Sequence, residues 1–287
     1  MTQVAQKLTR DGVLPHPWYI TLPARFEGGQ YTIKAGRYQF IESSTVADLL
    51  EKLVSGAAIP VTVALPEGVR FEEFKQVLRN TPDLVNTVLD LSDDEILRMV
   101  GAAEASPEGL FFPDTYHIAA GSSDVSLLKT AYQEMQKRLN AAWESRREDL
   151  PLASPYEVLI LASIVEKESG HGADSPLIAS VFVNRLKQSM RLQADPTVIY
   201  GMGNRYQGKI RRRDLDTDTP YNTYTRDGLP PTPIASVSQA SLDAVVHAPQ
   251  TKYLYFVAHG DKSGVSVFSE SLNDHNRAVR KHILGKN

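Results

Sequence analysis

The stretch Pro155–Glu168 constrains this chain more than any other. Val158, Leu159, Ile160, Leu161, Ala162, Ile164 and Val165 place apolar side chains on every side of a helix. A helix that is apolar all round is stable only inside a core. Ser154 suits its N-cap and Pro155 its first turn. The run then ends in Glu166-Lys167-Glu168-Ser169-Gly170, so charge arrives abruptly at the end of a buried rod. Glu168 follows Ile164 and Val165 by four and three residues and shares their face and that of Leu161. Glu166 points about 200° of helical rotation away, beside Ala162 and Ser163, and is read as a supporting residue. An apolar setting and a helix C-terminus both disfavour a carboxylate, which raises its pKa. Acid/base catalysis near neutrality needs a carboxyl of that kind. Glu168 is therefore the candidate catalytic residue. The plain alternative is that both glutamates are surface charges paired with Lys167 and Arg185.

The segment 191–233 has the opposite character: long, polar, and rich in Gly, Pro, Asn, Thr and Tyr. Long loops inside a compact domain are uncommon and usually functional. Amides, hydroxyls and aromatic rings suit a groove for neutral, hydroxyl-rich ligands, because rings stack on sugar faces and amides pair with hydroxyl and N-acetyl groups. Gln193, Asn222 and Tyr224 are the candidates for holding sugar or acetamido groups, followed by Tyr221, Thr223 and Thr197. Asp195 precedes Pro196 and is read either as the start of a turn or as a second carboxylate. The helix expected over Pro176–Lys187 carries Asn184 and Arg185 as candidate buttresses of Glu168. An ordinary turn-rich connection is the alternative for the whole segment.

Composition narrows the remaining classes. Of 287 residues, 42% are hydrophobic and 23% charged, as in an ordinary globular chain. The net charge of −3 leaves no basic field for nucleic acid. The run Arg211-Arg212-Arg213 is followed by Asp214, Asp216 and Asp218 and reads as a neutralised, solvated loop. Cysteine is absent, which removes disulfides, thiolate nucleophiles and Cys-ligated metals. The seven histidines form no HxH, HxxxH or HExxH pattern, so no metal and no cofactor is expected. There is no GxSxG elbow, and Gly201-Met202-Gly203 lacks the rest of a dinucleotide loop. No run of about 18 apolar residues occurs.

The fold class expected is α+β in two parts. Residues 1–59 form a small unit: a helix closed by Asp11-Gly12, strands at 31–33 and 38–40 around Lys34-Ala35-Gly36, and a helix capped by Ser44 or Thr45 and closed by Gly56. Residues 60–287 form a larger mixed α+β domain with the long polar substrate loop, in which 83–150 is helical and a candidate insert. Its expected elements are a strand at 61–65, helices at 71–78, within 83–105 and at 125–139, a loop or edge strand at 110–116, a helix at 238–246, strands at 253–258 and 264–268, and a last helix at 272–284.

The residues singled out also carry a resemblance. LASIVEKE (161–168), VFVNRL (181–186), RLQADPTVIYG (191–201), YNTYT (221–225), GLPP (228–231) and YLYFV (253–257) are similar, in order, to the YceG-like (MltG) family of endolytic murein transglycosylases. The match covers about residues 155–277 and continues loosely upstream through FPDT (112–115) and AGRY (35–38). The resemblance implies a LysM-like subdomain over the first unit and a catalytic glutamate at the second Glu of E-K-E, here Glu168. It implies non-hydrolytic cleavage of the MurNAc-β-1,4-GlcNAc bond within peptidoglycan strands, giving 1,6-anhydro-MurNAc ends and limiting nascent strand length. It further implies peptidoglycan as partner, cell-wall synthases (penicillin-binding proteins) as candidate partners, and a place on the periplasmic face of the inner membrane, anchored by an N-terminal transmembrane helix that this chain does not include. Three other readings stay open at this point: a hydrolase using Asp195, a non-catalytic peptidoglycan-binding scaffold, and a cytosolic α/β enzyme.

Overall fold

The computed structural model describes residues 1–26, 32–34, 36–169, 173–259, 265–283 and 285, with backbone alone at 24–26. The chain divides into two compact units. The first comprises 1–64, 77–90 and 115–127, and so takes in two stretches beyond the small unit expected from sequence. The second comprises 65–76, 91–114 and 128–287.

In the first unit, α1 (Thr2–Arg10), α2 (Trp18–Phe26) and α3 (Val46–Ser55) supply Leu14, Ile20, Leu49, Leu50 and Leu53 to one apolar cluster. Thr45 caps α3 in a reciprocal capping box with Asp48, and Gly56 closes it in the left-handed region at φ 78°. β1 (Pro60–Ala64) pairs antiparallel with β2 (Thr115–Ala119), Thr62 opposite His117. The strands expected at 31–33 and 38–40 are not found at 32–33 or 38–40; Tyr31 and Ala35 lie outside the described residues. These segments instead make single backbone bonds, Lys34 N–H to Leu53 O and Ile59 N–H to Arg37 O. Their side chains Ile33, Tyr38 and Phe40 are spent on the helical cluster. The helix α2 was not expected at all. The charged helix expected within 83–105 shrinks to α5 (Asp93–Val100), which belongs to the second unit. Upstream of it, buried Asp124 draws in the N–H groups of Thr87 (2.9 Å) and Val88 (3.0 Å), which competes with helix formation.

The second unit is organised by α7 (Pro155–Glu168), whose residues Val158–Val165 are all buried. Ser154 caps it through Glu157 N–H, and Ser169 leaves it in an extended conformation. α8 (Ser175–Lys187) and α11 (Gln239–Val246) pack on α7 and on each other. β3 (Tyr255–Ala258) and β4 (Ser266–Ser269) form an antiparallel hairpin with Phe256 opposite Phe268, covered by α12 (Leu272–His282). Two helices run between the units' residue ranges: α4 (Phe71–Arg79), whose last three residues fall in the first unit, and α6 (Asp124–Glu144), whose first four do. The polar segment 191–233, poor in helix signals, is nonetheless partly helical. It holds α9 (Asp195–Met202), a single 3₁₀ turn (Gly203–Arg205) and α10 (Arg212–Asp216). Asp195-Pro196 opens α9 instead of a turn, with Pro196 in the first helical turn, where its missing N–H costs nothing. No helix among the described residues is long and apolar enough to cross a membrane.

One buried polar contact locks the centre of this unit. Ser163, fully buried in α7, donates to Ile160 O (2.7 Å) and accepts from Ile234 N–H (3.0 Å). Ser163→Ala removes the hydroxyl and strands the Ile234 N–H, which costs about 1–3 kcal/mol. Denaturant unfolding is expected to show a lower midpoint at unchanged slope; an unchanged midpoint would contradict this role for the hydroxyl.

Candidate active site

Glu168 is the last residue of α7, and its side chain retains only partial exposure. Among the described residues it accepts no hydrogen bond. Its carboxyl is pushed up to about 7, first by burial, then by the negative charge of Asp195, with Arg185 pulling the other way. The two glutamates of the motif part company as the helical rotation requires. Glu166 accepts from both the backbone N–H (3.0 Å) and the hydroxyl (2.6 Å) of Ser238, the N-cap of α11. It is committed to joining two helices. Lys167 donates to Gly68 O (2.7 Å) rather than to either glutamate.

Arg185 on α8 is buried and pinned. Its Nε donates to Leu254 O (2.7 Å), its Nη1 to Leu192 O (2.7 Å), and its guanidinium lies over the Tyr255 ring, 5.2 Å from the centroid. It therefore holds the start of the polar segment against the β3 strand, while its charge reaches Glu168. Asn184, next to it, faces elsewhere: its amide donates to Thr251 O (3.0 Å) and Tyr253 O (2.9 Å).

The two halves of the polar segment are zipped together beside this arginine. Gln193 N–H donates to Thr223 O (3.1 Å), Ala194 N–H to Thr223 Oγ1 (3.0 Å), and the Thr197 and Thr223 hydroxyls meet at 2.8 Å. Thr197 also donates to Ala194 O (2.7 Å), so Thr223 supplies the proton between the two hydroxyls. Tyr224 donates to Asp195 Oδ1 at 2.6 Å, and burial together with that bond raises its phenol above the usual range. The backbone of Gln193 is held at φ 51°, in the left-handed region that a residue with a side chain avoids. Such strain persists only where surrounding contacts enforce it, and it concentrates at ligand sites. Its side chain is exposed, with Oε1 3.5 Å from Arg185 Nη1.

The structure thus assembles Glu168, Arg185, Gln193, Asp195, Thr197, Thr223 and Tyr224 in one neighbourhood. It does not bring the remaining candidates there as exposed groups. Asn222 is fully buried; its amide donates to Leu215 O and Thr217 O, and its Oδ1 accepts from Tyr224 N–H. Tyr221 shares a hydrogen bond with Thr232 (2.9 Å) and packs on Tyr200. Among the described residues no three His, Cys, Asp or Glu side chains cluster as a metal site would need.

A second perturbed carboxyl escaped the sequence reading. Glu108 is buried, accepts from Phe71 N–H at the start of α4 (2.9 Å) and from Tyr200 on α9 (3.1 Å), and is pushed up to about 7 by burial. Arg70 donates to Ile199 O and lies over the Tyr200 ring. Glu108 positions α9 from the end opposite Asp195. The available signal is its place just ahead of the apolar run Leu110-Phe111-Phe112, with Gly109 between.

Comparison with known proteins places this architecture. The chain is 31% identical over 307 residues to an endolytic murein transglycosylase of Bacillus subtilis, covering 100% of this chain and 83% of that protein. It is 27% identical to an endolytic murein transglycosylase of Streptococcus pneumoniae, covering 99% of this chain but spanning only 57% of that longer protein. A crystal structure of a YceG-like protein from Listeria monocytogenes superposes with a TM-score of 0.62 at 26% identity, over 96% of this chain and 94% of that one. The model of the YceG-like family matches residues 1–281, and the chain belongs to that family.

Proposed function

We propose that this chain is an endolytic murein transglycosylase in which Glu168 is the single acid/base. The observation that carries the reading is a carboxyl held near pKa 7 at the end of a buried helix, beside a hydroxyl- and amide-bearing segment. At neutral pH a large fraction of such a group is protonated. Protonated Glu168 donates to the glycosidic oxygen between MurNAc and GlcNAc, and the C1–O4 bond breaks with positive charge at C1. The resulting carboxylate takes the proton from the C6 hydroxyl of the same MurNAc, whose O6 closes onto C1. The products are a GlcNAc 4-hydroxyl and a 1,6-anhydro end; no water is consumed and Glu168 regains its proton. Gln193 and Tyr224 are the groups proposed to meet sugar, with Asn222, Thr223, Thr197 and Tyr221 maintaining the walls and Arg185, Asn184, Glu166 and Asp195 supporting them. The first unit is proposed as a LysM-like secondary glycan contact, supported by a groove of about 660 Å³ that Val4, Leu8, Tyr38 and Phe40 line. The relatives' activity on murein favours an extracytoplasmic site of action.

Asp195 gives one specific reason for a second reading. Ordinary glycosidases flank the bond with two carboxylates, and Asp195 lies within electrostatic reach of Glu168. Its hydrogen bond from Tyr224 favours an orienting role instead.

Mass spectrometry of products from intact sacculi separates the two. Anhydro-muramoyl ends are expected from the wild type, and a loss of at least about a thousandfold from Glu168→Gln, since the only proton donor is removed. Reducing ends alone would establish a hydrolase; full activity in Glu168→Gln would overturn the assignment of that residue. The pH profile carries a further test. The acid form must be present, so kcat/KM is expected to fall as pH rises through about 7. Asp195→Asn removes a charge that raises the Glu168 pKa and should move this alkaline limb to lower pH. An unmoved limb would show that Asp195 does not tune the glutamate.

A further inference from the structure

The same helix that brings Asp195 to Glu168 ends in a second, unassigned feature. A cavity of about 360 Å³ opens between the C-terminal half of α9 and the segment 205–219. Val198 and Met202 form its helical wall, and Arg205, Lys209, Arg211 and Arg213 line it against a single carboxylate, Asp214. Only part of this charge is neutralised. Arg213 lies 3.7 Å from Asp214, and Arg212, outside the lining, pairs with Asp216, whereas Lys209 and Arg211 have no ion pair among the described residues. The charge run that reads as a neutralised loop is therefore split, with two of its three arginines lining the cavity. Gly201 lets the wall close up: a Cβ there would lie 2.5 Å from Thr219 Oγ1. That hydroxyl is buried and has no hydrogen-bond partner among the described residues. Four cationic side chains against one carboxylate suit an anion.

Its place relative to the reacting bond narrows the choice of anion. Asp195, Val198 and Met202 are spaced i, i+3, i+7 and share one face of α9. At a rise of 1.5 Å per residue, Asp195 and Met202 are about 10 Å apart along the axis. An extended peptide covers about 10 Å in three residues. On the murein reading, on which this inference rests, each MurNAc carries a peptide stem with free carboxylates. We propose that this cavity is a stem-carboxylate site: it receives a carboxylate of the peptide stem on a sugar near the cleavage point and so makes the enzyme selective for stem-bearing strands.

The test uses the full chain as Glu168→Gln, so that binding is measured without turnover. Glycan strands with free stem carboxylates are compared with strands whose stem carboxylates have been converted to amides. Free-carboxylate strands are expected to bind about tenfold more tightly, as one charge-assisted contact worth about 1.4 kcal/mol gives. Adding Lys209→Glu and Arg211→Glu should bring the two affinities together, and raising the salt should do so gradually. Lys209→Gln alone, at an exposed position, should lower the ratio in the same direction and guards against misfolding of the double variant. Equal affinities for the two strands, or a ratio that the charge reversals leave unchanged, would overturn the stem site. Absence of cleavage by the wild-type chain together with charge-dependent binding would instead overturn the transglycosylase reading and leave the stem site standing.

Discussion

Burial of α7 is the constraint on which the second unit depends. A helix whose residues Val158–Val165 are all withdrawn from water can end in only a few ways. Here it ends with a glutamate that is still on the apolar face when the chain leaves the helix at Ser169. Burial is the largest influence on the Glu168 carboxyl, and the neighbouring Asp195 adds to it. The same packing that stabilises the unit therefore makes its acid available near neutral pH. The linkage has a sign. A carboxyl raised from 4.5 to about 7 favours the folded state below pH 4.5 and loses that contribution as pH rises through about 7. Glu108, raised for the same reason, adds to that loss over the same interval. The raised pKa of both carboxyls is held at some expense of stability above neutrality.

The polar segment answers this rod with rigidity rather than with a floppy lid. Arg185 ties Leu192 to Leu254, Thr223 accepts from the N–H groups of both Gln193 and Ala194, and Tyr224 ties Asp195 to the second half of the segment. Gln193 is forced into a left-handed backbone by these contacts and presents an exposed amide. α9 then acts as a rod of its own, held at one end by Tyr224 and further along by the contact between Tyr200 and Glu108. Geometry at Glu168 is thus set by packed elements, as the proposed role of that residue as acid and then base requires.

Much of this was legible in the sequence because it rests on periodicity. The bounds of α7 follow from its capping and apolar run, and the different surroundings of Glu166 and Glu168 follow from helical rotation. Thr45 and Gly56 mark α3 through capping chemistry, which is local. What was not legible depends on partners distant in sequence. Tyr38-Gln39-Phe40 has strand composition, yet its apolar side chains are claimed by the α3 cluster. The expected helix within 83–105 gives way where Asp124 captures the Thr87 and Val88 N–H groups. Asn222 looks like an exposed sugar ligand from its type, while the structure uses its whole amide inside the loop. Glu108 carries no periodic signal, and beyond its place ahead of the apolar run at 110–112 it shows itself through burial.

The most direct measurement is a carbon-13 NMR titration of the glutamate side-chain carboxyls, with Glu168→Gln identifying the resonance. The Glu168 signal is expected to titrate near pH 7 in the folded protein, and to move to lower pH in Asp195→Asn. A Glu168 carboxyl that titrates near 4.5, as a solvated glutamate does, would contradict the account, because it would be ionised at neutral pH and unable to deliver the proton.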